Sequence, residues 1–234
     1  MPKLTKVIQI AIDGPVAAGK GSVARALAEK LGILYVDTGA MYRAAALLAR
    51  KSGVEWENEV GVAELVNKAS FEMHAPSGKE KDGRLVTLKV DGEDVSWAIR
   101  TEEMSEGSSA VAVHPQVRKE LVKIQKEMAE KQSVVMEGRD ITTVVLPRAT
   151  LKVFLTAEVD ERARRRYKQL LEKGEAVTYE KVLTDLKARD FQDSERKADP
   201  LRITQDAWVL NTTGMTIDEV VEKIKGKIEL LNGR

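Results

Sequence analysis

The chain has 234 residues, with 38 Lys and Arg against 37 Asp and Glu, a formal net charge of +1, and no cysteine. The missing cysteine excludes a disulfide framework and any thiolate nucleophile or metal ligand, and the balanced charge argues against a protein that coats nucleic acid. With 43% apolar and 32% charged residues, the chain can bury a core, and no run of about 18 apolar residues predicts a membrane span.

In chain order, Met1-Pro-Lys-Leu-Thr-Lys6 leads into a strand-like run with no apolar signal segment before it. Residues 7–12 read as a buried strand feeding Asp13-Gly14-Pro15. A helix follows over 21–31, with Val23, Leu27 and Leu31 at fourfold spacing and Gly32 as its stop. Short strand-like runs recur at 34–37, 133–137, 151–155 and 207–210, with helical patterns between them. Five strands alternating with helices predict an α/β fold, a parallel sheet covered on both faces.

One stretch breaks the rhythm. Phe71, Met73 and Ala75 alternate, a polar loop intervenes, and Val86, Leu88 and Val90 alternate again before Asp91-Gly92 and a short strand at Val95. Hairpin turns of this kind predict a small antiparallel insert at about 68–98. A second atypical block, about 158–200, has two charged helices around Gly174. The last helix carries a capping box, Thr216-x-x-Glu219, and an apolar stripe of Val220, Ile224, Ile228 and Leu231.

The segment Gly14-Pro-Val-Ala-Ala-Gly19-Lys20 matches G-x4-G-K and sits between a predicted strand and a predicted helix, the context of a phosphate loop. Glycines let backbone N–H groups wrap around phosphates, and the helix N-terminus adds a favourable dipole. Gly14, Pro15, Val16, Ala17, Ala18, Gly19, Lys20, Gly21 and Ser22 are therefore the candidate ATP contacts. Lys20 reaches the β- and γ-phosphates, and Ser22 serves a Mg2+ ion directly or through water. The commoner motif puts Ser or Thr directly after Lys. Here Gly21 intervenes, a version that resembles nucleoside-monophosphate kinases rather than GTPases, and no Asn-Lys-x-Asp guanine motif is present.

Arg43 follows the strand-terminal Asp37 by six residues, and Arg139 follows the end of the 133–137 strand. Both fall at the carboxyl edge of the sheet, where open α/β folds bind ligands, and arginine grips phosphate bidentately. Arg189, Asp193 and Arg196, spaced four and three apart, fit one helical face. Arg162, Arg165 and Arg166 share another, with Arg164 off it. His74 and His114 read as structural.

Five further segments bear on the family: Asp37-Thr-Gly-Ala-Met-Tyr-Arg43, Asp94-Val-Ser-Trp-Ala-Ile-Arg-Thr101, Glu137-Gly-Arg-Asp140, Glu161-Arg-Ala-Arg-Arg-Arg166, and Arg189-Asp190 followed by Asp193 and Arg196. With the loop and the insert, they make the chain resemble the bacterial cytidylate kinase family over nearly its whole length. The resemblance implies one P-loop kinase domain of three layers, with a core of 1–37, 130–157 and 203–234. It further implies a monophosphate-binding region over 38–129 and a helical lid over about 158–200. The implied CMP contacts are Thr38, Arg43, Ser109, Arg118, Arg139, Asp140, Arg189, Asp193 and Arg196. Among them Arg189 and Asp193 would meet the ribose, Arg196 the phosphate, and Ser109, Arg118 and Asp140 the base. The catalytic set is Lys20, Arg139, Arg162, Arg166 and Arg196.

Cytosine presents an exocyclic amine to a carboxylate such as Asp140. Uracil would set its O4 acceptor against the same carboxylate, at a cost of about 1–3 kcal/mol. The acceptor phosphate is already ionised near neutrality, so no general base is needed. The expected reaction moves the γ-phosphoryl of ATP to CMP or dCMP with Mg2+. A P-loop kinase for another small monophosphate is the alternative, and a nucleotide switch or RNA-binding module is a third reading. The aromatic content of 4% leaves few platforms for stacking bases. ATP and CMP or dCMP are the expected partners, without nucleic acid or membrane, in a cytoplasmic protein that is monomeric by resemblance.

Overall fold

The computed structural model describes residues 7–172 and 174–232; the opening 1–6, read above as the approach to the first strand, lie outside the described residues. The chain runs β1 (Gln9–Asp13), α1 (Lys20–Leu31), β2 (Leu34–Asp37), α2 (Thr38–Lys51), α3 (Glu59–Lys68) and β3 (Phe71–His74). It continues through β4 (Thr87–Val90), β5 (Glu93–Asp94), α4 (Glu102–Val111), α5 (Pro115–Lys131) and β6 (Val134–Gly138). Then come β7 (Leu151–Thr156), α6 (Val159–Glu172), α7 (Tyr179–Glu195), β8 (Trp208–Asn211) and α8 (Ile217–Asn232).

Five strands form one sheet in the order β2-β6-β1-β7-β8. β2 pairs with β6, β1 with β7 and β7 with β8, all parallel. A parallel strand is buried on both faces and needs a near-continuous apolar run. Ile10, Ala11 and Ile12 meet that need, as do Val134, Val135 and Met136, and all six are fully buried. The register sets Asp37 beside Glu137 and Asp13 beside Phe154, so polar residues gather where the apolar runs stop.

The insert is a separate antiparallel sheet, β3-β4-β5. Its alternation puts Phe71 opposite Val90 and Met73 opposite Leu88, all four buried. Asp91 and Gly92 both have positive φ, 51° and 80°, as a two-residue turn matched to strand twist requires. The third strand is Glu93–Asp94 rather than Val95. Val95 gives its N–H to the Leu88 carbonyl (3.0 Å) and buries its side chain, leaving the sheet as a core residue.

By its contacts the described chain divides into two compact bodies, one made of residues 7–9 and Gly32–Glu137, the other of Ile10–Leu31 and the described residues from Gly138 on. In the first, α2 packs on α4 and α3 on α5; in the second, α1 packs on α8 and α6 on α7. The start of α8 carries the expected capping box, with Glu219 accepting from the Thr216 N–H (2.8 Å) and Thr216 Oγ1 accepting from the Glu219 N–H (3.3 Å). Its buried stripe is Val220, Val221, Ile224 and Ile228, whereas Leu231 is 40% exposed. The expected stripe ran one turn beyond the surface that α8 covers. No helix among the described residues is long and apolar enough to cross a membrane.

Candidate active site

In the second body, the loop between β1 and α1 opens at Gly14, where φ is 154° and an added Cβ would stand 2.0 Å from the Leu155 carbonyl oxygen of β7. Only glycine lets the chain pass that close. Ala17 and Gly19 also have positive φ, 58° and 89°. Lys20 opens α1 and folds its ammonium back over the loop, donating to the Pro15 carbonyl at 2.8 Å. Ser22 is half-buried in the first turn of the same helix.

Asp13, the last residue of β1, is completely buried. Its carboxylate accepts from the Ile141 N–H (2.9 Å), the Thr142 N–H (2.7 Å) and the Thr142 hydroxyl (2.6 Å). Burial pushes its pKa up, and the bonds from Thr142 and Ile141 only partly offset that. These bonds pin the single π-helical turn over Ile141–Val145, which begins next to Asp140. Irregular turns of this kind recur at functional sites.

Around α7 the expected residues come together on a carboxylate. Arg139 Nε donates to Asp193 at 2.6 Å, and Arg196 stands 4.0 Å from Asp193 and 3.8 Å from Asp140. Burial opposes the charge on Asp193, but Arg139, Arg189 and Arg196 outweigh it and hold the pKa below the usual 3.8. Arg196 does not share a helical face with Arg189 and Asp193. It caps α7 with ψ at 143°, and its guanidinium donates twice to the Asp199 carbonyl, at 2.9 and 2.5 Å. The chain folds back there through the Leu201 N–H to the Asp193 carbonyl (2.8 Å), which returns Arg196 to the cluster.

On α6, Arg164 is 68% exposed, while its neighbours turn inward. Arg162, expected among the catalytic arginines, gives Nε to the Ala157 carbonyl and Nη1 to the Val16 carbonyl and to Asp190. Arg165 donates to the Thr212 hydroxyl and carbonyl, and Thr212 in turn reaches the Ala18 carbonyl of the loop at 3.4 Å. Arg166 is half-buried.

In the first body, Asp37 ends β2 and caps α2. Its Oδ1 accepts from the Ala40 N–H (2.8 Å), and its Oδ2 accepts from Arg43 and Arg100, each at 3.1 Å. Burial opposes the Asp37 charge, yet Arg43 and Arg100 hold its pKa down. Burial also lowers the pKa of Arg43, against the pull of Asp37. Arg43 Nε is buried with no hydrogen-bond partner, an orphaned donor of the kind that asks for an explanation. Thr38 donates its hydroxyl to the Glu137 carbonyl (2.8 Å), and Ser109 to the Ser105 carbonyl (3.3 Å). Arg118 is buried on α5, 5.6 Å from the Tyr42 ring centroid, and donates to the Ala112 carbonyl.

Sequence reasoning passed over Asp37 as an arginine holder, Arg100 beside it, Asp13 and Asp190, and it put Arg165 on a helical face shared with Arg162 and Arg166 without a partner. Arg100 and Asp190 stand inside segments quoted above, but their partners are far along the chain. His74 bonds Glu80 (3.1 Å) and His114 bonds the Trp56 carbonyl (2.9 Å), both structural contacts.

A family model described as cytidylate kinase matches residues 10–230. Over 226 residues the chain is 46% identical to a Bacillus subtilis protein named cytidylate kinase, covering 97% of this chain and 98% of that one. A Lactobacillus gasseri protein of the same name is 44% identical over 226 residues, covering 97% and 96%. Among solved structures, an uncharacterized protein from Eubacterium ventriosum has a TM-score of 0.52 at 15% identity, over 95% of this chain and 98% of that one, a likeness in fold.

Proposed function

The chain belongs to the cytidylate kinase family and transfers the γ-phosphoryl group of ATP to CMP or dCMP; we propose that the loop from Gly14 to Ser22 holds the donor and that a set of aimed arginines holds the acceptor. The observation that carries the acceptor assignment is Arg43, fixed by Asp37 yet with Nε buried and unpartnered. A phosphate oxygen would satisfy it. Arg139 and Arg196 join it on the acceptor phosphate, and Arg189 and Asp193 take the ribose. Asp140 receives the exocyclic amine of cytosine, with Ser109 and Arg118 on the other base edge and Thr38 beside the acceptor.

Bringing two anionic phosphates together is an electrostatic and geometric task, with no proton to abstract. Lys20, Arg139, Arg166 and Arg196 meet the charge on the transferring group. Arg162 acts through the loop instead, since its Nε and Nη1 are bonded to protein oxygens. The block over 158–200 serves as a lid that keeps water from the γ-phosphoryl.

Mg2+ keeps several waters and takes few protein oxygens where a nucleotide supplies phosphates. The donor set fits that habit. Ser22 offers one hydroxyl beside Lys20, and among the described residues no cluster of three or more His, Cys, Asp or Glu forms a cage. Ser22 would hold the ion directly or through water, and the ion neutralises phosphate charge when bound. The protein acts as a cytoplasmic monomer on these small molecules.

A coupled ADP-release assay with Mg-ATP and CMP, dCMP, UMP, AMP or GMP offered singly tests the reading. CMP and dCMP should turn over far faster than the rest. Lys20→Ala should abolish transfer in a protein that still melts cooperatively. Rapid ADP release without any acceptor, or near-normal turnover by Lys20→Ala, would overturn the assignment.

A further inference from the structure

Val16 stands in the phosphate loop, and both polar groups of its backbone are held from outside that loop. Its N–H donates to Asp190 Oδ1 on α7 at 3.0 Å, and its carbonyl accepts from Arg162 Nη1 on α6 at 3.1 Å. The same Nη1 bonds Asp190 Oδ2 at 2.5 Å, which closes a ring of one loop residue, one carboxylate and one guanidinium. Arg162 is anchored at its other side by Nε on the Ala157 carbonyl (3.0 Å), just past β7, and is 9% exposed in its side chain. The residue after Val16 is Ala17, at φ 58°. A residue with a side chain is strained in that conformation and persists there only where the surroundings hold it.

Asp190 is placed between residues assigned to the acceptor. Arg189 precedes it, and Asp193 follows three residues later on the same helix. Those two face the cluster with Arg139 and Arg196, while Asp190 faces the donor loop. Within a helix, residues three apart do not move independently. Any shift of α7 that seats Asp193 on a ribose therefore shifts the carboxylate that holds Val16.

We propose that Asp190 is a positioning residue that couples the two substrates, transmitting occupancy of the acceptor residues on α7 to the shape of the phosphate loop. This rests on the kinase reading above and names a residue that the reading does not use. Arg162 is the second half of the device, because its bond to the Val16 carbonyl keeps the peptide from turning away from Asp190. Coupling between sites is reciprocal by linkage, so CMP and ATP should tighten each other by one common factor.

The test measures binding of the β,γ-imido analogue of ATP with Mg2+, calorimetrically, in the absence and presence of saturating CMP. In the unaltered protein CMP should tighten the analogue about fivefold or more. Asp190→Ala should bring that ratio to about one, while each ligand alone binds within about threefold of its normal strength. Asp190→Asn keeps an oxygen for the Val16 N–H and loses the charge facing Arg162, so its ratio should fall between the two. It also serves if Asp190→Ala does not fold. An unchanged ratio in a folded variant overturns the proposal, and so does equal weakening of both ligands with the ratio intact, which marks a merely structural residue. A ratio of one in the unaltered protein overturns it too. Absence of CMP binding altogether would instead count against the kinase reading.

Discussion

Asp37, buried, and Asp193, half-buried, each collect arginines on a carboxylate, yet they stand at opposite ends of helices. Asp37 caps the start of α2, where a negative charge is favoured by the helix dipole and its oxygen satisfies the Ala40 N–H. Asp193 is in the last turn of α7, which also ends in Glu195 and has no basic residue. A negative charge there works against the dipole. Asp37 therefore agrees with its local structure, whereas Asp193 stays ionised only because Arg139, Arg189 and Arg196 surround it. Where a residue breaks a local rule, function is the usual reason. The contrast supports the proposal that Asp37 serves mainly the fold and Asp193 mainly the ligand.

The largest effect that tests this contrast is on stability. Asp37→Ala strands Arg43 and Arg100 without their shared carboxylate and removes a helix cap. Breaking a buried ion pair from one side costs about 3–5 kcal/mol, and denaturant titration should read a loss of that size. A loss under about 1 kcal/mol would erase the distinction between the two acids. Asp193→Ala should behave differently. Arg196 keeps its bonds to the Asp199 carbonyl and Arg139 keeps one to the Gly138 carbonyl, and an unfavourable charge leaves the end of α7. Stability should fall by only about 1 kcal/mol. Misplacing Arg139 and the ribose should instead lower kcat/KM for CMP roughly 100-fold. Full CMP kinetics together with a large stability loss would invert the assignment.

Asp140 supplies a smaller and more selective effect. It is buried, directly precedes the turn whose Ile141 and Thr142 N–H groups Asp13 holds, and has the Arg196 guanidinium 3.8 Å from its carboxylate. Asp140→Asn should narrow the CMP-over-UMP preference about tenfold, the equivalent of about 1.4 kcal/mol. Equal losses on both substrates would make Asp140 a second Asp37.

The phosphate loop was legible because its requirements are local. Gly14 must pass the Leu155 carbonyl, and the G-x4-G-K spacing announces that from the seven residues Gly14–Lys20. The strands of the sheet were legible as apolar runs for the same reason. Their order was not, because β2-β6-β1-β7-β8 depends on pairings between residues far apart in the chain, such as Leu34 with Val134 and Ile10 with Leu151. Arg196 shows how a periodic reading fails. Its spacing from Asp193 fits a helix, but α7 stops one residue earlier and the turn through Asp199 brings the side chain back by another route. Asp190 gave a faint signal, standing four residues after the buried Leu186 and so on the inward face of α7. Nothing local says that the group waiting there is the Val16 peptide.

The smallest effect, and the one that separates three carboxylates by sign, is the acid limb of stability. Asp37 and Asp193 have folded pKa values below the unfolded 3.8. Between those values the unfolded chain binds more protons, so stability rises with pH across that window. Their contribution is complete above about 3.8 and is lost as the pH falls through the lower folded values. Asp13 is the reverse case: burial raises its pKa above 3.8, so between 3.8 and the raised value the folded state binds the extra proton. In that window acidification favours the fold as far as Asp13 is concerned. Asp37→Asn should therefore flatten the loss of stability below about pH 3.8, measured by denaturant titration across the acid range. Asp13→Asn should steepen the loss just above that pH, even though its absolute stability falls. Two changes of slope in the same direction would mean that the hydrogen bonds to Asp13 outweigh its burial, and that it belongs with Asp37 as a charge the fold was built to keep.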